Sequence, residues 1–209
     1  MYFCKSQNCD GKKAGSFPDY ISDSEKYNID SLTISGPLNG TDIGWICDMA
    51  GSSVQGRETK GSLRYIDTTN NQVVAGDSSY FNGTNGALVH VTYYTANDTI
   101  GPCMFTKCKK LEHILLPNTA KSTSNRSFES CNNLKSVVIP NSFETIEWYS
   151  FQSYLESLYI SNSLSLIEEK AFYYCRKLND IYIFTTKRPE EKTVPILTPG
   201  HFSAKYIKS

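Results

Sequence analysis

The chain has 209 residues, of which 39% are hydrophobic and 12% aromatic, a composition typical of a folded protein with a packed core. It carries 21 basic and 21 acidic side chains, so no excess positive charge attracts a phosphate backbone, and we expect no nucleic-acid partner. No segment approaches the roughly 18 apolar residues that a membrane-spanning helix needs, so we expect no such helix in this sequence.

The first elements are predicted from capping and turn residues. Residues 1–15 are polar and without periodicity, which indicates a flexible lead-in. A helix is predicted over residues 16–27, with a serine as its cap and its apolar side chains on one face. Residues 31–35 alternate between polar and apolar, which is typical of a half-buried strand, and the Gly-Pro pair at 36–37 is predicted to end it.

A strand–helix–strand unit is predicted to follow. Thr41 would cap a helix over residues 42–49, and residues 62–67 would form the next strand. Such a connection joins parallel strands, which is how a solenoid of stacked coils begins. Residues 76–87 are rich in Gly, Ser, Asn and Asp and predict an inserted loop, followed by a short strand at 88–91.

A repeated phrase occupies residues 100–184. Its aromatic residue recurs at spacings of 23, 23 and 21 residues, and a cysteine or a tyrosine stands three residues after it. The aromatics are Phe105, Phe128, Phe151 and Phe172, and the residues three further on are Cys108, Cys131, Tyr154 and Cys175. The last spacing is shorter because two residues are missing between Tyr154 and Leu155.

Each phrase continues with a leucine and two apolar residues, in the pattern L-x-x-I-x-I. Periods of about 20 to 30 residues with one short strand each are the signature of leucine-rich repeats, whose coils bury apolar side chains against one another. The predicted fold class is therefore an α/β leucine-rich-repeat solenoid with a parallel β-sheet on the concave side and short helical or irregular turns on the convex side. The predicted organisation is a lead-in (1–15), an N-terminal cap and irregular first coils with a loop insertion (16–99), regular repeats (100–184) and a C-terminal cap or tail (185–209).

Three of the phrases resemble the BspA-like leucine-rich repeats of bacterial surface proteins. They begin at Ile100, Ile146 and Ile167, and the last reads Ile-Glu-x-x-Ala-Phe-x-x-Cys-x-x-Leu-x-x-Ile-x-Ile. The resemblance covers residues 14–184 and departs from the family at Thr123, which stands where the family has an isoleucine. It implies export to the cell surface or beyond, with a signal or anchor outside this sequence, and a role in adhesion or binding without catalysis.

The seven cysteines are odd in number, so at least one is unpaired within the chain. We predict that Cys108, Cys131 and Cys175 are buried free thiols, because equivalent side chains of stacked coils point in parallel and not toward each other. Two cysteine pairs have a spacing that zinc sites use, but no histidine pair accompanies them, so we expect no metal and no cofactor. These pairs are Cys4 with Cys9 and Cys103 with Cys108.

The sequence contains no recognisable catalytic motif. His90, His113 and His201 stand apart, and neither a nucleophile elbow nor an HExxH zinc motif is present. The paired carboxylates at 168–169 and 190–191 are sequence neighbours, whose side chains do not face each other. We therefore predict that the chain is not an enzyme, and we reject a polysaccharide-acting enzyme.

The candidate binding residues occupy the outward positions of the predicted strands. If Leu, Ile and Val face the core, the alternate positions form a stripe of aromatic and short polar side chains across the concave sheet. Solenoids use such sheets as extended binding faces, and Tyr beside Asp and Ser suits a sugar ring or an extended peptide. The predicted binding residues are Tyr65, Asp67, His113, Ser136, Ser157, Tyr159, Asp180 and Tyr182.

The predicted function is a non-catalytic cell-surface or secreted binding or adhesion module that recognises a protein or glycan on a host or neighbouring cell. The alternative is a structural or self-assembly domain of a larger surface protein, which associates with another copy or another domain. The stripe also has a simpler explanation, in which β-propensity alone places tyrosine and valine on the strands.

Overall fold

A computed structural model describes residues 13–76, 78–161, 163–168, 170–185 and 203–208 of the chain. The predicted lead-in lies outside the described residues except for its last three, and most of the predicted tail also lies outside them. The described chain contains one α-helix, α1 (Gly40–Met49), two short 3-10 helices and thirteen strands. The strands are β1 (Ser31–Leu38), β2 (Tyr65–Val73), β3 (Ser79–Thr84), β4 (His90–Tyr94), β5 (Thr99–Ile100), β6 (His113–Leu115), β7 (Ser122–Thr123), β8 (Ser136–Val138), β9 (Thr145–Ile146), β10 (Ser157–Ser161), β11 (Leu166–Ile167), β12 (Asp180–Thr185) and β13 (Ser203–Lys208).

The described strands form two parallel sheets and one antiparallel hairpin. The larger sheet has seven strands in the order β1-β2-β6-β8-β10-β12-β13, and the smaller has four in the order β11-β9-β7-β5. From β5 to β12 the chain alternates between the two sheets, so each regular coil contributes one strand to each. The fold is the predicted leucine-rich-repeat solenoid. The smaller sheet lies where the sequence suggested only helical or irregular turns.

The core consists of the inward side chains of the coils. In the coil that contains β8, Leu134, Val137 and Ile139 are buried, and the same positions are buried in the coil that contains β6. Each fully buried aliphatic side chain stabilises the fold by about 1.5–3 kcal/mol, but a single coil has no partner against which to bury this face. The coils are therefore stable only as a stack.

Four phenylalanine rings stack through the regular coils and form what we call the phenylalanine ladder. Successive ring centroids lie 5.2, 5.1 and 5.5 Å apart, and the planes of neighbouring rings are within 13° of parallel. Such pairs contribute about 0.5–1.5 kcal/mol each beyond the buried area. The members of the ladder are Phe105, Phe128, Phe151 and Phe172, the aromatics of the repeated phrase.

The turns around the ladder use left-handed backbone at residues other than glycine. These residues lie two positions before and two positions after a ladder phenylalanine, with φ between 55° and 65°. A side chain in this conformation costs about 1–2 kcal/mol, so the turns carry strain that the stacked core holds in place. The positions are Cys103, Lys107, Arg126, Ser130, Tyr149, Lys170 and Tyr174; the coil of Phe151 has only the first of the two.

The cysteines of the repeat are buried free thiols, as predicted. Cys131 Sγ donates a hydrogen bond to the carbonyl of Phe105 in the preceding coil, at 2.9 Å, and Cys175 donates likewise to Phe151. Burial raises the pKa of Cys175 to about 11, so this thiol is neutral at ordinary pH. Cys4 and Cys9 lie outside the described residues.

Tyr154 does not fill the interior position that its alignment with the cysteines predicts. Its side chain is 46% exposed, whereas Ser153 is buried in its coil and contacts Cys175. The cause is the two-residue deletion, because the shortened chain must reach Leu155 directly and a tyrosine is too large for a cysteine-sized space. The alignment of Tyr154 with Cys131 therefore holds in sequence but not in space.

Thr123, which departs from the repeat pattern, is accommodated by a buried hydrogen bond. Its hydroxyl donates to Ser150 Oγ at 2.9 Å, and Ser150 Oγ donates in turn to the carbonyl of Glu147 at 2.7 Å. Both hydroxyls are fully buried, where an unpartnered polar group would cost about 1–3 kcal/mol. A serine one coil further on thus compensates for the missing isoleucine.

The helix predicted over residues 16–27 is wrong. The structure has two 3-10 helices there, Phe17–Asp19 and Lys26–Asn28. Ser22 interrupts the predicted helix, since its backbone N–H and its hydroxyl both donate to the carboxylate of Glu25. This is the local hydrogen bonding of a helix start, and it competes with continuation of a helix from Phe17.

The predicted strand at residues 31–35 and the predicted helix at residues 42–49 are present as β1 and α1, but their ends differ from the predictions. β1 runs through the Gly-Pro pair to Leu38 because it is an edge strand of the described sheet, where proline is tolerated. Helix α1 is capped by Asn39 and not by Thr41: the side chain of Asn39 accepts from the Thr41 N–H, and Asp42 accepts from the Asn39 N–H. This reciprocal pairing is a capping box.

The loop predicted over residues 76–87 is wrong in its centre, where strand β3 lies. β3 pairs antiparallel with β4, and together they form a hairpin between β2 and β5 in the chain. Tyr80 and Phe81 are buried, and the Tyr80 hydroxyl donates to the carbonyl of Pro102 at 2.9 Å. The prediction of a loop rested on the Gly, Ser, Asn and Asp content of the segment and gave no weight to its two aromatics, which favour a strand.

Candidate functional site

The predicted binding residues lie in two adjacent rows on one face of the seven-stranded sheet, which we call the two-row face. In the first row, pairing runs from strand to strand through Tyr65, His113, Ser136, Ser157 and Asp180. In the second row, it runs through Asp67, Leu115, Val138, Tyr159 and Tyr182. The structure therefore brings all eight predicted positions together, with two aliphatic residues completing the second row.

The described side chains of the two rows point away from the core because the intervening residue of each strand points into it. Ile66, Ile114 and Val137 alternate with the two rows and are fully buried. The row residues whose side chains are described are half-buried, except for Val138, which is 36% exposed. A period of two along each strand, imposed by the pleat, creates this surface.

Two of the polar residues are engaged in hydrogen bonds on the face. His113 Nδ1 and Ser136 Oγ lie 2.7 Å apart, so the two side chains hold each other in position across neighbouring strands. Asp67 Oδ1 accepts from the N–H and the hydroxyl of Thr69, at 2.9 and 2.7 Å. The carboxylate of Asp67 is therefore tied to its own strand and supplies only its remaining acceptor capacity to a ligand.

The aromatic part of the face is a rigid pair of rings. Tyr159 and Tyr182 stack with centroids 4.8 Å apart and planes 11° from parallel. The spacing matches that of the paired strands on which they stand, β10 and β12. At the other end of the face, burial and the nearby charge of Asp67 raise the pKa of Tyr65, which keeps its phenol protonated and able to donate.

A row of alternating charge borders the face, and the sequence reading missed it. Glu112 accepts from Arg64 Nε and from Lys135 Nζ, both at 2.5 Å, and each of the three residues immediately precedes a strand of the large sheet. Hydrogen bonds from Arg64 and Lys135 lower the pKa of Glu112 to about 2. The sequence contains a pattern that predicts this row: opposite charges at equivalent positions of successive coils become neighbours when the coils stack.

No arrangement suited to metal binding occurs within the described ranges, where no three His, Cys, Asp or Glu side chains cluster. The longest helix of the described chain, α1, has ten residues and cannot cross a bilayer.

Stacked coils with an extended parallel sheet define a repeat solenoid, a class of scaffold that offers a broad sheet surface for binding. Six copies of the BspA type leucine-rich repeat region match residues 76–189, which is more than half of the chain. The chain belongs to this family, as the repeated phrases predicted. The match contains more copies than the four that the aromatic spacing identifies.

Several solved structures are similar to this chain. The pneumococcal vaccine antigen PcpA has 12% identity and a TM-score of 0.39, over 75% of this chain and 51% of that one. A leucine-rich repeat protein from Eubacterium ventriosum has 14% identity and a TM-score of 0.38, over 74% and 39%. One from Bacteroides ovatus has 14% identity and a TM-score of 0.32, over 87% and 51%. The matched region spans about half of those chains or less, and no curated protein sequence matches this chain significantly.

Proposed function

We propose that this chain is a non-catalytic binding or adhesion module, displayed at the cell surface or secreted, that recognises a host protein or glycan through the two-row face. The observation that carries the proposal is the stacked pair Tyr159 and Tyr182 beside the hydroxyls of Ser136 and Ser157. Membership of the BspA-type repeat family supports it, because a repeat supplies a scaffold and leaves specificity to the exposed residues that differ between coils.

The chemistry of the face suits recognition more than catalysis. Stacked tyrosine rings offer a large, already ordered contact area, so little side-chain entropy is lost when a partner packs on them. Val138 and Leu115 extend the apolar area, and His113 with Ser136 supplies donors and acceptors at its margin. Aromatic anchors surrounded by short polar groups are typical of binding hot spots.

The test is a double substitution on the face. Tyr159→Ala with Tyr182→Ala should weaken binding to extracellular-matrix proteins or arrayed glycans at least about tenfold, because both anchors are removed. The matched control is Tyr20→Ala with Tyr94→Ala, which removes two exposed rings that are not part of the face and should leave binding unchanged. Circular dichroism establishes that both variants fold.

Two results would contradict the proposal. One is unchanged binding in the folded Tyr159/Tyr182 double variant. The other is concentration-dependent self-association, measured by light scattering, that the double variant abolishes while the control does not; the face would then serve assembly between copies.

A further inference from the structure

The two-residue deletion in the third regular coil leaves a notch in the stack of turns. In the neighbouring coils the two deleted positions are filled by residues 132–133 and 176–177, with no counterpart between Tyr154 and Leu155. The space between those coils is an open pocket of about 340 Å³, within the range of about 300–1,000 Å³ that ligand pockets occupy. It lies in the turns that lead into β8, β10 and β12, not among the residues of the two-row face.

Two exposed tyrosines line this notch. Tyr154 is 46% exposed because the deletion turns it out of the core, and Tyr174 on the next coil is 50% exposed. Tyr174 has a left-handed backbone, with φ of 65°, a conformation that is unfavourable for an aromatic residue. Accessible aromatic faces on a wet surface are suited to packing against the apolar face of a sugar ring.

The polar lining supplies hydrogen-bonding groups of several kinds. Ser130 and Asn132 come from the coil before the deletion, and Gln152 comes from the shortened coil itself. The side-chain oxygen of Gln152 is buried and accepts no hydrogen bond within the described chain. Buried polar atoms nearly always have a partner, so Gln152 is a residue of the notch lining with an unmet hydrogen bond.

The charge around the notch is positive. Arg176 lines it, and the central carbon of its guanidinium lies 5.4 Å from the centre of the Tyr174 ring. Lys177 Nζ lies 5.6 Å from the Tyr154 ring, and its charge is offset in part by Glu156 at 3.8 Å. A guanidinium offers its N–H donors in a planar fork, the geometry that pairs with a carboxylate.

We propose that the notch binds one sugar unit of a glycan and prefers a unit that carries a carboxylate. The rings of Tyr154 and Tyr174 pack on the sugar, Asn132 and Gln152 pair with its hydroxyls, and Arg176 pairs with its carboxylate. This site is separate from the two-row face, so either site can exist without the other.

The experiment titrates the isotopically labelled full chain with glucuronic acid and with glucose, and follows backbone amide shifts by NMR. Glucuronic acid should bind with a dissociation constant of about 1 mM and shift the notch residues, with glucose about tenfold weaker. Tyr174→Ala should weaken both sugars about tenfold. Arg176→Gln should weaken glucuronic acid about tenfold and leave glucose within about twofold, since only the charge-assisted pairing is lost.

A repair of the deletion is the sharpest test. An insertion variant in which Cys-Asn-Asn replaces Tyr154 copies residues 131–133 of the coil before it, restores the 23-residue spacing and fills the notch, so binding should disappear while the fold is retained. Tyr94→Ala, which removes an exposed ring outside the notch, should bind as the wild type does. The proposal fails if the folded insertion variant binds glucuronic acid normally, or if neither sugar shifts the notch residues of the wild type at about 10 mM. Equal affinity for the two sugars would overturn the preference for a carboxylate.

Discussion

Ser130 illustrates how much of this molecule is decided by a single backbone angle. Its φ is 59°, a left-handed value that glycine adopts without strain but that is unfavourable for a residue with a side chain. The local sequence does not predict this left-handed conformation, because Ser-Cys-Asn is typical of an ordinary turn. The strain becomes visible only when the coils are stacked and each turn must close around its phenylalanine.

Ser130→Gly should therefore stabilise the protein. Release of left-handed strain, about 1–2 kcal/mol, exceeds the extra flexibility of glycine in the unfolded chain, about 0.5–1 kcal/mol. The matched control is Asn132→Gly, two residues away and exposed, where φ is not left-handed and only the flexibility cost applies. Urea unfolding should show a higher midpoint for the first variant and a lower one for the second. Shifts in the same direction would contradict this account.

At the scale of the element, the starts of β2, β6 and β8 are joined by the ion pairs of Glu112 with Arg64 and Lys135. The pKa of Glu112 lies at about 2, below its ordinary value of 4.5, so the folded state favours the ionised form. The resulting stability is present above pH 4.5 and is lost as the pH falls toward 2. The side chains of both cationic partners are partly exposed, 61% for Arg64 and 46% for Lys135, so solvent screening weakens each pair.

Glu112→Gln should lower the free energy of unfolding at pH 7 by about 1 kcal/mol, and the difference from the wild type should vanish near pH 2. Glu156→Gln is the control, because its pair with Lys177 is long, at 3.8 Å, and both side chains are more than half exposed. Urea unfolding between pH 7 and pH 2 measures both variants. A constant difference across that range would show that Glu112 acts through packing and not through its charge.

The element-scale predictions failed where a local hydrogen bond or a buried aromatic outweighed composition. Ser22 with Glu25 begins a new turn in a segment that otherwise reads as one helix. Tyr80 and Phe81 anchor a strand inside a segment that reads as a loop. In both cases the deciding residues were present in the sequence, but Ser22 acts through a side chain three residues away, and Tyr80 through a hydrogen bond to the distant Pro102.

For the whole molecule, the phenylalanine ladder links the coils into one core. Phe128 stacks on both Phe105 and Phe151, whereas in the described chain Phe105 stacks on Phe128 alone. Phe128→Ala should destabilise the fold by about 3–5 kcal/mol, because it leaves a cavity and removes two stacking contacts. Phe105→Ala should cost less, by about the worth of one stacked pair, 0.5–1.5 kcal/mol. Equal losses in urea unfolding would mean that the rings contribute only buried area.

Much of the candidate site followed from periodicity alone. Alternation along each strand identified the outward positions, and the 23-residue spacing implied that Ser136 lies beside His113. Alternation could not predict that Asp67 is tied to Thr69 or that Glu112 bridges two coils, because these contacts depend on rotamers and on the register between strands. The roles of the eight residues in binding stay a prediction until the tyrosine variants are measured.

The sequence by itself determined the repeat, the inward leucines and aromatics, and the solenoid. The reason is that a coil with apolar residues at a fixed period buries them by stacking on the next coil. The tertiary structure alone decided where that regularity breaks. It placed Tyr154 outside the core, moved Ser153 inside, and opened a notch between two coils. The physical reason is that the deletion shortens one coil, whereas the space it leaves is lined by side chains of the coils on either side.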